Sequence, residues 1–337
     1  MSTLDAPDPA SPALPDDSRP DLDHLGRRLL LPAVLGLLAL VGLTVFADAK
    51  DLAASLKSFD PALLAPVLGL SLVNYVLRFV RWQMYLSALG VSLPLGRSLA
   101  VFLVGFVLSV TPGKAGELGK AWLVRQLGGG PARRVVPAVL AERVTDLLGV
   151  VLLLAVGALP FPGGRWIALG GVACVLAASG LLTWRRGALA VLHAVGRLPL
   201  IRRFVHHFEE MYDLLRTLVS PRLMAAGLAL SAVAWGAEAV GFLVVARDYA
   251  PQMGLFASLF DYAASTLAGA LSMLPGGLLA SEGTLAALLG AQGLNAADAA
   301  SATLIIRVAT LWFAVALGLL ALPWVLRKVR KKKNQTG

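Results

Sequence analysis

The chain has 337 residues, of which 57% are hydrophobic and 15% charged, against about 25% charged in an ordinary soluble domain. Its formal net charge of +10 could suit nucleic acid, but Arg and Lys cluster in segments between long apolar runs. That pattern excludes a large soluble core and describes a helical protein that crosses a membrane several times.

In chain order, residues 1–25 are acidic and rich in Pro, Asp and Ser, with no apolar core, which predicts a disordered tail rather than a cleaved signal. Arg27 and Arg28 precede an apolar run, 29–46, long enough to span. A second run opens at Pro61 and continues past Val80, with Asn74, Arg78 and Arg81 on one helical face. A third, 99–110, is short and ends in Thr111-Pro112-Gly113-Lys114-Ala115-Gly116-Glu117. The fourth, 135–159, carries Glu142, Arg143 and Asp146 about a third of the way in. A turn at 160–164 leads to a span bounded by Trp166 and Trp184, interface anchors. It contains the single cysteine, Cys174, which excludes an internal disulfide.

Residues 185–222 form the longest polar insert, basic and helically patterned, as expected of a cytoplasmic surface helix. Its His206-His207 pair has no partner at metal-ligand spacing, His193 reads as interfacial, and His24 lies in the tail. The run 223–245 spans again and holds Trp235 and Glu238. The run 256–274 holds Asp261 and ends in Leu274-Pro275-Gly276-Gly277, with Glu282-Gly283 beyond. A short piece, 285–294, precedes the last span, 300–325, which holds Arg307. A polybasic tail, 327–337, ends the chain.

The two Pro-Gly motifs form a repeat. Arg143 follows Pro112 by 31 residues (143 − 112) and Arg307 follows Pro275 by 32 (307 − 275). Basic loops orient the spans, and the assignment closes when 99–128 dips in from the cytoplasm and 256–294 from outside. The expected fold is all-α: a polytopic helical membrane protein with about six full spans plus two re-entrant, Pro-Gly-broken hairpins in an inverted repeat. Full crossing by the short limbs would raise the count to about eight to ten. The folded domain is expected over 26–326, with repeat halves near 61–184 and 223–326. Both termini should be cytoplasmic, in a bacterial inner (plasma) membrane.

Broken helices free backbone groups that are tolerated where they line a cavity, and a helix start behind each Pro-Gly offers N–H groups to an anion. Gly113, Gly116, Gly276 and Gly277 are therefore candidate site residues, with Glu117 and Glu282 as caps for the helix starts. Arg143 can pair with Asp146 at i+3, while Arg307 has no acid near it in its own span and needs Glu282, Asp261, Glu238 or a ligand anion. Arg78 and Arg81 either snorkel to the interface or receive phosphate at the cytoplasmic mouth. No Walker loop, dinucleotide fingerprint, nucleophile elbow or zinc pair is present, so neither a cofactor nor an ATP-driven step is expected.

Asn74-x-x-x-Arg78-x-x-Arg81-Trp82, Thr111-Pro112-Gly113-x-x-Gly116-Glu117, Glu142-Arg143-x-x-Asp146, Leu274-Pro275-Gly276-Gly277, Glu282-Gly283 and Arg307 occur in that order. The set resembles the lysylphosphatidylglycerol synthase transmembrane-region family, over about residues 25–330. Lys114 departs from the family pattern, which often has glycine there, and adds a cation beside the anion site. In the full-length synthase this region precedes a soluble aminoacyl-transferase domain, which is not expected here. The resemblance implies lipid translocation rather than synthesis. The expected cargo is an anionic or aminoacylated phospholipid, or a polyprenyl-phosphate-linked lipid. Arg143 and Arg307 would hold phosphate, while Glu117, Asp146, Glu238 and Glu282 balance charge or bind a cationic headgroup. Two rival readings stay open: an accessory subunit beside a lipid-modifying or glycosyl transferase, and a membrane enzyme using Glu117 or Glu282 as acid or base.

Overall fold

The computed structural model describes residues 34, 36, 38, 39, 41–45, 47–111, 116–184, 187 and 215–336, with side chains to 329. The expectations for 1–25, for most of the insert 185–222 with its histidines, for Gly113 and Lys114, and for the side chains of the basic tail beyond 329 fall outside the described residues.

Every regular element among the described residues is helical. Helical turns within 34–47 lead to α1 (Ala49–Ser58), capped by Asp48. A turn at Pro61–Leu63 opens α2 (Leu64–Ala88). The first hairpin is α3 (Leu95–Ser109) and α4 (Gly119–Gln126). Then come α5 (Ala132–Ala158), α6 (Gly164–Thr183) and, starting on Pro221, α7 (Pro221–Tyr249). The second hairpin is α8 (Leu255–Leu271) and α9 (Ala280–Ala291). The last rod joins α10 (Ala296–Arg307), capped by Asn295, to α11 (Phe313–Thr336) through a π turn at Val308–Trp312.

Four runs among the described residues are long and apolar enough to cross a membrane: Pro61–Ala88, Gly164–Thr183, Pro221–Tyr249 and Ala296–Val329. At 1.5 Å per residue, α5 with its 27 residues has the length of a span, about 40 Å, but carries buried charges. The limbs α3 and α8 have 15 and 17 residues, and their partners α4 and α9 only 8 and 12. Exposed apolar side chains cover the outside of the bundle, among them Val76 on α2, Leu169 on α6, Val233 on α7 and Leu320 on α11. Such a surface is stable against lipid tails rather than water. The chain is a polytopic all-α membrane protein.

The loops sort to two ends. At one, Val91, Val124, Leu127, Leu218 and Val325 share a buried cluster, and Arg97 Nη1 donates to the Leu127 carbonyl at 3.1 Å. At the other, Phe59, Ala250, Met253 and Leu289 cluster, and Tyr249 donates to the Ser55 carbonyl at 3.2 Å. The α3–α4 hairpin opens toward the first end and α8–α9 toward the second.

Several contacts recur when the segments 61–158 and 221–336 are exchanged. Helix α2 lies on its counterpart α7. Limb α3 packs on α11 of the other half, and limb α8 packs on α5 of the other half. The return limbs stay at home, α4 on α5 and α9 on α10. Glycines allow the crossed contacts. A Cβ on Gly157 would lie 2.4 Å from the Phe260 nitrogen of α8, and one on Gly318 would lie 2.5 Å from the Leu103 carbonyl of α3.

Candidate functional site

The tips of the two hairpins meet in the middle of the bundle. At the first, Gly116 sits so close to Thr111 and the Leu108 carbonyl that any side chain would collide, and its N–H donates to Thr111 Oγ1 at 2.8 Å. At the second, Pro275 begins a tight turn through Gly276 (φ +63°) and Gly277 (φ +67°), conformations open to glycine. Leu279 is also held at φ +70°, an uncommon conformation for a branched residue, immediately before α9.

Between the tips lies a cavity of about 100 Å³, room for several waters or a compact anionic group. Arg78, Glu117, Arg143, Glu238, Gly276, Gly277 and Arg307 all line it, with Tyr75, Trp235, Tyr262, Ser281 and Thr310. Of the sequence candidates, these seven converge. The other described candidates lie just behind the wall or elsewhere.

Each arginine of the repeat holds the glutamate of its own hairpin. Arg143 Nε lies 3.1 Å from Glu117 Oε2, and Arg307 Nε lies 2.5 Å from Glu282 Oε1. Arg307 Nη2 also donates to the Gly276 carbonyl at 3.0 Å, so one guanidinium clamps both the turn and the helix behind it. At the helix starts the N-cap residues Leu118 and Leu279 make no side-chain hydrogen bond, while Glu282 lies in the first turn of α9.

Asp146 is the most contested acid. Arg81 Nη2 approaches its Oδ1 at 2.7 Å, Arg143 Nη2 its Oδ2 at 3.1 Å, and Arg78 Nη2 its Oδ2 at 3.7 Å. Ser231 and Trp235 of α7 donate to Oδ1, each at 3.1 Å. Arg81 is fully buried and also donates to Thr145 at 3.2 Å, so it does not snorkel. It stands behind the wall, as does Asn74, which donates to the Ala234 carbonyl and ties α2 to α7. Arg78 faces the cavity, stacked between the rings of Phe106 and Trp235, its centre 5.5 and 5.6 Å from theirs. Its Nε is buried without a hydrogen bond.

Glu142 turns the other way. It pairs with Lys120 Nζ of α4 at 2.5 Å, away from the cavity, and the lysine lies 4.4 Å from the Trp82 ring centre. Glycine at 105 makes room for the lysine stem. Asp261, an alternative partner for Arg307, instead accepts from Gln292 at 2.5 Å. Glu238 accepts from Tyr262 of α8 at 2.7 Å.

Several site residues carried no role in the sequence. Tyr75 and Ser71 donate to the carbonyls of Thr310 and Ala309, at 2.6 and 2.8 Å, groups exposed by the π turn one step after Arg307. Such turns recur at functional sites. Trp235, three residues before Glu238 and so on the same face, is the one that spacing could have found.

The description of lysylphosphatidylglycerol synthase TM region fits residues 33–318 of this chain. A UPF0104 membrane protein of Methanothermobacter thermautotrophicus is 21% identical over 92% of this chain and 98% of its own length. Another, from Pyrococcus horikoshii, is 21% identical over 73% of this chain and 82% of its own. Glycosyltransferase AglD of Haloferax volcanii is 27% identical over 76% of this chain, which spans 48% of that protein. With the match covering most of the chain and its paired hairpins, glutamates and arginines, the protein belongs to the lysylphosphatidylglycerol synthase transmembrane-region family.

Proposed function

We propose that this protein moves a lipid between leaflets by passing its headgroup through the cavity between the hairpins. The observation that carries this is the meeting of Arg78, Arg143 and Arg307, from three different helices, in one cavity at the broken tips. Buried arginine is costly in a membrane protein and is retained where it pairs or binds an anion. Three guanidiniums with N–H groups to spare suit a phosphate, which accepts bidentate bonds. The cargo is a phospholipid, anionic or aminoacylated, or a polyprenyl-phosphate-linked lipid. Glu117, Asp146, Glu238 and Glu282 balance the arginines, while Arg81, Asn74 and Glu142 hold the frame around them.

In this reading the hairpins are re-entrant, entering from opposite faces, beside about six full spans. The membrane is the bacterial inner (plasma) membrane, and both termini are cytoplasmic because the basic segments lie on that side. The protein performs no covalent chemistry itself. Reconstituted vesicles carrying headgroup-labelled phosphatidylglycerol test the proposal. Wild type should accelerate transbilayer movement, and Arg143→Ala and Arg307→Ala should each abolish most of that gain. No acceleration by wild type, or full activity in both variants, would sink it.

A second reading has one observation in its favour. In AglD a region similar to this chain occupies about half of a protein named a glycosyltransferase. In this reading the region found here serves a lipid-modifying or glycosyl transferase as an accessory subunit. It predicts stable co-purification with such an enzyme, and vesicles without lipid movement.

A further inference from the structure

The charges around the cavity balance only if every group is ionised. Four arginines, Arg78, Arg81, Arg143 and Arg307, face four acids, Glu117, Asp146, Glu238 and Glu282. Three of these acids are held by arginine: Glu117 by Arg143, Glu282 by Arg307, and Asp146 by Arg81 and Arg143. Glu238 differs. It is 5% exposed, lines the cavity, makes no ion pair among the described residues, and has Tyr262 as its hydrogen-bond donor. A buried acid that sits in no ion pair is the group of such a cluster that changes charge at least cost, since each of the other three acids is held directly by an arginine.

We infer that Glu238 is a proton site, and that the cavity takes up one proton together with one phosphodiester anion. This rests on the headgroup reading above and deepens it by naming the coupled ion. With Glu238 neutral, the four arginines face three acids and the site carries one net positive charge, matching a phosphodiester. With Glu238 ionised the site is neutral, and an anion would enter against a carboxylate in its own cavity. Arg78 is the cation left short, third in line for Asp146 at 3.7 Å and stacked between two aromatic rings.

The groups that face Glu238 are accounted for helix by helix. From α2 come Tyr75 and Arg78, from α5 Asp146, from α8 Tyr262, and from α10 Arg307. Among these no other acid is free of arginine, and no described histidine is present to compete. Proton and anion bound together cross as a neutral pair. An inward proton gradient would therefore draw the headgroup from the outer leaflet to the inner one.

The test is the pH dependence of binding, with dihexanoyl-phosphatidylglycerol as probe, because its phosphodiester does not titrate near neutrality. Binding is measured calorimetrically to the purified full chain in detergent. Wild-type affinity should fall as pH rises, approaching about tenfold per unit for one linked proton. Glu238→Gln, which mimics the protonated acid, should bind at the low-pH affinity throughout. Glu238→Asp should keep the slope with its midpoint moved, which serves if the glutamine variant does not fold. Binding that ignores pH in wild type, an unchanged slope in Glu238→Gln, or an unmoved midpoint in Glu238→Asp would overturn the proton site and leave the headgroup reading standing. No saturable binding at any pH would remove both.

Discussion

Arg307 shows what a single residue contributes. Its Nε holds Glu282 and its Nη2 holds the Gly276 carbonyl, leaving other N–H groups for the cavity. Lysine preserves the charge but has no planar fork. Arg307→Lys should therefore keep the folded protein close to wild type in thermal unfolding, yet lower vesicle lipid movement at least about tenfold, the value of one lost charge-assisted bond of roughly 1.4 kcal/mol. Lys120 gives the opposite separation. Its pair with Glu142 lies outside the cavity, so Lys120→Met should strand a buried carboxylate at a cost of about 3–5 kcal/mol. The double variant Lys120→Met with Glu142→Leu should recover most of that stability and retain lipid movement. If the double variant folds but is inactive, Glu142 belongs to the transport path after all.

At the scale of elements, the crossed contacts of the hairpins depend on missing side chains. Gly157→Val would force α8 away from α5, because the new Cβ overlaps the backbone at Phe260. A Cβ at Gly170 on α6 meets nothing within 4 Å, so Gly170→Val is the control. The first should yield aggregated or poorly folded protein on size exclusion and the second should behave as wild type. Much of this arrangement is legible in the chain. Two Pro-Gly breaks, each with a glutamate and an arginine at matching distance, point to one shared polar place, and the Glu117–Arg143 and Glu282–Arg307 pairs bear out that spacing. Other features are not legible. Helical periodicity puts Glu142 and Asp146 on one face of α5, but that face is wide enough to meet α4 on one side and α2 and α7 on the other, so the two acids part. Tyr262 reads as an ordinary aromatic of an apolar run until Glu238 of a neighbouring helix meets it. The π turn after Arg307 has no composition of its own. It exists because Ser71 and Tyr75 of α2 satisfy the carbonyls it frees.

For the whole molecule, the sorting of loops into two ends makes orientation testable at the mouths of the hairpins. Gly96, at the start of α3, and Gly254, before α8, both have open space around them. With Cys174 replaced by serine, an impermeant maleimide added to intact cells should label Gly254→Cys and spare Gly96→Cys until the membrane is opened. Labelling of both from outside would refute entry from opposite faces.

The crossed packing also limits how the protein can move. Each hairpin is chained by its glutamate to the arginine helix of its own half, while its long limb is embedded against the other half. Two halves laced in this way cannot tilt past one another as independent blocks, because each would pull the other's tip out of register. Any opening must instead be a sliding or hinging of the tips themselves, with the frame of α2 and α7 held still. It follows that neither half should fold when expressed alone, whereas the two expressed together as separate polypeptides should reassemble.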